Sequence, residues 1–142
     1  MDLKLTPIDY NSLNAKQKEN FNYQKISAVL ADYGFMTLRL SDDWRGADFI
    51  AQHIDGEVFI KIQLKGRLMF SKKYCGKDLF MVFQEDGIWY LFPHDQVLDI
   101  FISETNVGNT KSWRDRGEYH FPSLSKQAKK LLDPYRICPC NR

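Results

Sequence analysis

At 142 residues, with 44% hydrophobic and 27% charged side chains, the chain can bury a core without disulfides and is neither disordered nor fibrous in composition. No apolar run approaches the roughly 18 residues of a membrane span, and Met1-Asp2-Leu3-Lys4 lacks the layout of a secretory signal, so a single cytoplasmic domain over 1–142 is expected. A net charge of +2 is too mild to point to nucleic acid by itself. Cys75, Cys138 and Cys140 read as reduced thiols, and Cys138-Pro139-Cys140 lacks a second Cys or His pair that would complete a zinc site.

In chain order, residues 1–13 have little periodicity and read as an arm packed on the body. From Asn14 to Tyr33, Phe21, Ile26, Val29, Leu30 and Tyr33 recur near helical spacing, with Asn14 as N-cap and Gly34 as C-cap. Phe35 to Leu40 alternates as a strand, followed by a polar loop from Ser41 to Gly46. Two strands, Asp48 to Ala51 and Val58 to Lys65, flank Asp55-Gly56, a dipeptide suited to a tight primed turn with φ > 0 at both positions. Gly66 to Gly76 reads as a basic, irregular link. Asp78 to Phe83 and Ile88 to Phe92 are aromatic-rich strands joined at Asp86-Gly87.

Pro93 opens a helix through Val97, Leu98, Ile100 and Phe101. Asn106 to Gly117 reads as a polar loop, Glu118 to Phe121 as a short edge strand, and Ser123 to Leu132 as a last helix capped by Ser123. The order implies an α/β fold bordering on α+β, a mixed sheet of about five strands flanked by helices. Its motif-bearing core spans 14–92 and a helical region 93–142.

Along the second hairpin strand Val58, Ile60, Ile62 and Leu64 share one face, expected to be core, and Phe59, Lys61, Gln63 and Lys65 the other. The hairpin makes Asp48 and Gln63 neighbours. A carboxylate oxygen, an amide oxygen and a backbone carbonyl can hold a hard divalent cation, with Lys65 offering a positive charge to orient water or stabilise a phosphate. The same residues also suit a solvated face of an amphipathic hairpin, and spacing alone does not separate the two.

The wider pattern does more. A long helix ending at Gly34-Phe35, a strand, Gly46-Ala47-Asp48-Phe49-Ile50, a turn, and Ile60-Lys61-Ile62-Gln63-Leu64-Lys65 resembles the PD-(D/E)XK nuclease superfamily, the restriction-endonuclease-like fold, over roughly residues 14–92. The resemblance is to the branch in which Gln replaces the motif's Glu, as in small resolvase-like proteins and some intron-encoded homing endonucleases. It implies Mg²⁺- or Mn²⁺-dependent hydrolysis of DNA, double-stranded or branched. Asp48 and Gln63 would bind the metal, the Leu64 carbonyl would be an extra ligand, and Lys65 would be catalytic.

Ala47 stands where the motif often has Pro. Family members often place a Glu on the first helix about three turns before its end, a register that falls here near Tyr23 and Gln24, with Glu19 one turn earlier. Either Glu19 reaches the site, or Gln24 substitutes, or the position is empty. Many such nucleases cut as homodimers or higher oligomers, although no dimer surface is legible. The alternative is a non-catalytic member of the fold that binds nucleic acid or a partner protein.

Beyond the motif, Asp42-Asp43-Trp44-Arg45 reads either as a loop at the mouth of the site, with Asp43 near the metal and Trp44 and Arg45 on DNA, or as a surface turn. Lys65, Arg67, Lys72, Lys73 and Lys77 follow the motif strand where a phosphate backbone would pass, though a solvated loop has the same look. Trp113-Arg114-Asp115-Arg116, distant in sequence, reads more readily as surface packing than as a grip on nucleic acid. His94, with no nucleophile beside it in sequence, reads as a helix-start polar residue rather than a base.

Overall fold

A computed structural model describes residues 1–44 and 46–138, without the side chains of Asp42, Asp43 and Trp44. Helix α1 (Ala15–Asp32) begins with a reciprocal cap: the Asn14 side chain accepts from the Gln17 N–H at 2.8 Å and the Gln17 side chain accepts from the Asn14 N–H at 2.9 Å. It ends at Gly34, whose φ of 84° and closeness to the His53 ring leave no room for a Cβ. The arm differs from expectation. Residues 1–9 are exposed, and contact begins at Tyr10, whose ring lies 5.3 Å from Phe21 and whose hydroxyl accepts from Asn22.

Strand β1 (Phe35–Trp44) does not stop at Leu40; the expected loop over 41–46 is corrected to four more strand residues and a turn. Backbone pairing with β2 (Ala47–His53), from Phe35↔His53 to Trp44↔Ala47 across one register shift, holds the polar stretch extended. β3 (Phe59–Leu64) follows, without Val58. Gly56 has φ 76° but Asp55 is not left-handed; its carboxylate instead accepts from the N–H groups of Glu57 (2.8 Å) and Val58 (3.2 Å), giving a wider link than the primed turn expected. The second Asp-Gly does form that turn: Asp86 (φ 52°) and Gly87 (φ 78°) join β5 (Leu79–Glu85) to β6 (Ile88–Pro93).

Between β3 and β5, which pair in parallel, the link is not irregular: Met69–Ser71 forms β4, with Leu68, Met69 and Phe70 buried. Its antiparallel partner is β7 (Glu118–His120), so the two make a small ribbon apart from the main sheet. Helix α2 (His94–Glu104) starts after Pro93 as expected. The polar stretch after it is corrected to a 3-10 turn at Val107–Asn109 and a π-helix at Ser112–Arg116, burying Val107 and Trp113. Helix α3 (Lys126–Leu132) is capped by Ser125, not Ser123, through a 3.1 Å bond from the Ala128 N–H. β8 (Arg136–Ile137) completes a sheet of order β1-β2-β3-β5-β6-β8.

This mixed six-stranded sheet flanked by helices is the α/β architecture expected. Its faces are not one core and one open surface. On one side α1 buries Ile26, Val29 and Leu30 against Phe49, Ala51, Ile62 and Val82. On the other, the chain returning from β3 brings β4, Tyr74, α2 and α3 over Met81, Phe83, Tyr90 and Phe92. That second layer stops short of β1, β2 and the start of β3, where Met36, Leu38 and Phe59 are exposed. The motif residues lie where cover gives way to open sheet. Among the described residues no helix is long and apolar enough to cross a membrane.

Candidate active site

Phe49 pairs with Ile62, so continuing the register by one residue sets Asp48 opposite Gln63, with Cβ atoms about 5 Å apart for such a pair. Phe49 and Ile62 point to α1, so Asp48 and Gln63 point to the other face. One Asp48 oxygen, Oδ2, accepts from the Leu64 N–H at 2.8 Å, anchoring the carboxylate at the end of the β2–β3 ladder. Gln63 is only 8% exposed, and its Oε1 is buried with no hydrogen-bond partner among the described residues. A buried carbonyl oxygen without a donor is unfavourable by about 1–3 kcal/mol. A hard cation beside the Asp48 carboxylate would satisfy it, so these donors fit Mg²⁺ or Mn²⁺.

Lys65 follows two residues after Gln63, and its backbone N–H donates to the Val82 carbonyl at 2.9 Å. Its ammonium lies 5.7 Å from the centre of the Tyr74 ring, with that of Lys73 at 5.0 Å from the same ring. Tyr74 is buried, and both it and Leu79 pack where a Cβ on Gly46 would sit, at 3.0 and 2.8 Å. One aromatic ring therefore underlies the approach to Asp48 and steers two lysines. Sequence reasoning passed over Tyr74 because it stands in a stretch that read as a basic link. Beside it, Lys65, Gly66, Arg67, Met69 and His120 line a shallow cleft of about 340 Å³.

Other sequence candidates lie elsewhere. Glu19 is paired with Arg39 at 3.0 Å, and Arg39 stacks at 4.9 Å on Tyr23 on the α1 side of the sheet. The structure does not bring this carboxylate to Asp48. Gln24 is exposed on α1, facing a groove under the N-terminal arm. Arg45 and the side chains of Asp43 and Trp44 lie outside the described residues, as does the Pro139-Cys140 tail. Arg67, Lys72 and Lys73 are exposed; Lys77 is half-buried, and its carbonyl accepts from the Lys61 ammonium at 2.6 Å.

His94 is fully buried, so it is more than a surface helix-start residue. Its Nε2 accepts from the Ser71 N–H at 3.1 Å, which leaves the proton on Nδ1 to donate to Asp95 at 2.9 Å. Burial pushes its pKa below the ordinary 6.5 despite Asp95. Burial also pushes the Asp95 carboxyl up, but the bonds from His94 and the Gly76 N–H outweigh this and hold it below 3.8. Cys75 completes a trio whose ligand atoms lie within 4.8 Å of one another. It makes a poor metal site. The Ser71 N–H already uses Nε2, so Nδ1 could bind only as an imidazolate, and burial and then Asp95 push the thiol upward.

No protein-family model matches the chain, and no curated protein matches it. Among solved structures, the chain is similar to Archaeoglobus fulgidus Hjc, a Holliday junction resolvase from an archaeal hyperthermophile. The two are 16% identical with a TM-score of 0.42, covering 52% of this chain and 76% of that one. It is also similar to the bacterial homing endonuclease I-Ssp6803I, at 22% identity and TM-score 0.49, covering 87% and 86%. Likeness of this extent says nothing of activity, which has to come from the site itself.

Proposed function

We propose that the protein is a divalent-cation-dependent endodeoxyribonuclease whose site is Asp48, Gln63 and Lys65. The observation that carries this reading is Gln63 Oε1, buried without a hydrogen-bond partner among the described residues, across from an anchored carboxylate at the edge of an open face. Asp48, Gln63 Oε1 and the Leu64 carbonyl would hold Mg²⁺ or Mn²⁺, which when bound supplies Lewis acidity at the scissile phosphate. Asp48 contributes the negative charge, held in place by the Leu64 N–H. Lys65, its ammonium over the Tyr74 ring, donates to the attacking water or to the phosphate oxygens where charge develops.

Plasmid and branched DNA incubated with Mg²⁺ or Mn²⁺ should be nicked, and Lys65→Ala should abolish nicking while the circular dichroism spectrum is unchanged. No cleavage with either metal on any substrate, or equal cleavage by the variant, rejects the assignment. A non-catalytic DNA-binding protein is the second reading. It is favoured by Glu19, whose pairing with Arg39 leaves Asp48 as the carboxylate of the site among the described residues.

A further inference from the structure

The Trp113-Arg114-Asp115-Arg116 motif is far from Lys65 in sequence but not in space. β4 pairs with β7 in the register Met69↔His120, Phe70↔Tyr119, Ser71↔Glu118, and the Phe121 N–H to Leu68 carbonyl bond at 3.0 Å prolongs the ladder. Gly117 to Phe121 therefore runs antiparallel beside Leu68 to Lys72, which brings the segment 111–120 next to 65–73, the stretch that leaves the candidate site. At one end of this ribbon His120 shares the cleft of Lys65 and Arg67. At the other, the Lys72 N–H donates to the Gly117 carbonyl at 2.7 Å and its ammonium lies 5.3 Å from the Trp113 ring centre.

The π-helix is fixed to the ribbon rather than loose. Ser112 Oγ donates to the Glu118 carbonyl at 2.6 Å, Arg116 Nη2 donates to Ser112 Oγ at 3.3 Å, and Trp113 is buried beneath. Gly117, at φ 70°, ends the turn. Lys111, Arg114 and Arg116 are left exposed beside Lys72 and Lys73.

Charge gathers here. The two segments carry seven lysines and arginines against Asp115 and Glu118, a net +5, so the rest of a chain of net charge +2 is acidic overall. Glu118 lies 3.5 Å from His120, which offsets it when that ring is protonated. Arg67 and Lys72 flank the three strand residues Met69–Ser71, so they stand at most about 17 Å apart, within the rise of about five base pairs.

We infer that the β4–β7 ribbon with its π-helix is a phosphate-binding track for duplex DNA, leading from Lys65 outward, with Arg114 and Arg116 as backbone contacts independent of base sequence. The inference rests on the nuclease reading only for DNA as the polyanion. A β-ribbon stiffened by a buried tryptophan loses little freedom on binding, and arginine forks match phosphate oxygens.

The test is fluorescence anisotropy of a labelled 30-base-pair duplex with Ca²⁺ in place of Mg²⁺, titrated with the full-length protein across a series of salt concentrations. Arg114→Gln/Arg116→Gln should lower the salt slope by about 0.9 per lost contact and weaken binding at 0.1 M salt by about eightfold per contact. Lys129→Gln/Lys130→Gln, on the exposed side of α3, is the control for bulk charge and should change the slope little. An unchanged slope and affinity in the arginine variant, an equal loss in the control, or no DNA binding by the wild type would overturn the track. Cleavage is scored separately on the same proteins. Normal cleavage with unaltered binding by the arginine variant sinks the track alone, whereas weakened binding with no cleavage by any protein supports the track and sinks the nuclease.

Discussion

Gln63→Met tests the cation site through stability rather than turnover. Methionine keeps an unbranched side chain of similar length and removes the buried oxygen that has no hydrogen-bond partner among the described residues. Relief of that oxygen should stabilise the metal-free protein by about 1–2 kcal/mol, toward the lower half of the range for an unsatisfied buried group. For a domain of this size that is a rise in melting temperature of about 3–8 °C. With metal the gap should close. A cation at ten times its Kd stabilises the wild type by about 1.4 kcal/mol through binding to the folded state only, and the variant should gain almost none of it. The assay is calorimetric melting in EDTA and then across a Mg²⁺ series. A methionine variant less stable than wild type in EDTA, or one with the same Mg²⁺-linked gain, would refute the reasoning.

Other outcomes follow from the same geometry. Gln63→Glu should tighten cation binding by about tenfold through an added negative charge, yet lower stability in EDTA at neutral pH, because a second buried carboxylate would face Asp48; calorimetric titration with Mn²⁺ reads the first effect and melting the second. Tyr74→Phe should cleave nearly as wild type, whereas Tyr74→Leu, lacking the ring beneath Lys65, should lose about tenfold in kcat with KM little changed; equal losses in both would mean the ring does not steer the lysine. Gly46→Ala should cost about 2 kcal/mol in urea denaturation, since a Cβ would sit 2.8 Å from Leu79 on a backbone at φ 89°. For His94 the folded pKa lies below 6.5, so the unfolded chain binds the proton first. The stability held by the neutral ring is full above pH 6.5 and is lost as pH falls below it, with a slope approaching about 1.4 kcal/mol per pH unit. Asp95, lowered from 3.8, adds a further loss below that pH, and His94→Gln should flatten the first of the two slopes.

The two Asp-Gly dipeptides show what local sequence can and cannot convey. Both suit a primed turn, and Asp86-Gly87 makes one because β5 and β6 pair right up to Glu85↔Ile88. At Asp55 the side chain captures the amides of Glu57 and Val58 instead, and β3 starts later. The pairing of Asp48 with Gln63 was nonetheless legible, since alternation and a single hairpin fix which residues share a face whatever the turn's form. The caps of α1 were legible because Asn14 and Gly34 act on backbone groups within a few residues. β7 was legible as a short edge strand over Glu118 to Phe121, whereas β4 and β8, each of three residues or fewer, have no periodicity to read and exist because a distant partner supplies their hydrogen bonds. Tyr74 and the burial of Gln63 share that origin, since both depend on the crossover that lays the chain from β3 back over the sheet.

That crossover also bears on why an amide suits position 63. On an open face a glutamate there would remain hydrated opposite Asp48 and could ionise at little cost. With position 63 buried, a carboxylate there beside Asp48 would be an uncompensated buried charge in the metal-free protein, and one of the two would take up a proton. Glutamine avoids this while keeping an oxygen aimed at the same place, at the expense of one negative charge in the donor set. In the proposed reading the missing charge is made up by the DNA phosphate itself, and the +5 ribbon that begins at Lys65 is what would draw that phosphate in. A weakly charged cation site and a strongly basic track beside it thus form one arrangement, in which neither is sufficient for cleavage alone.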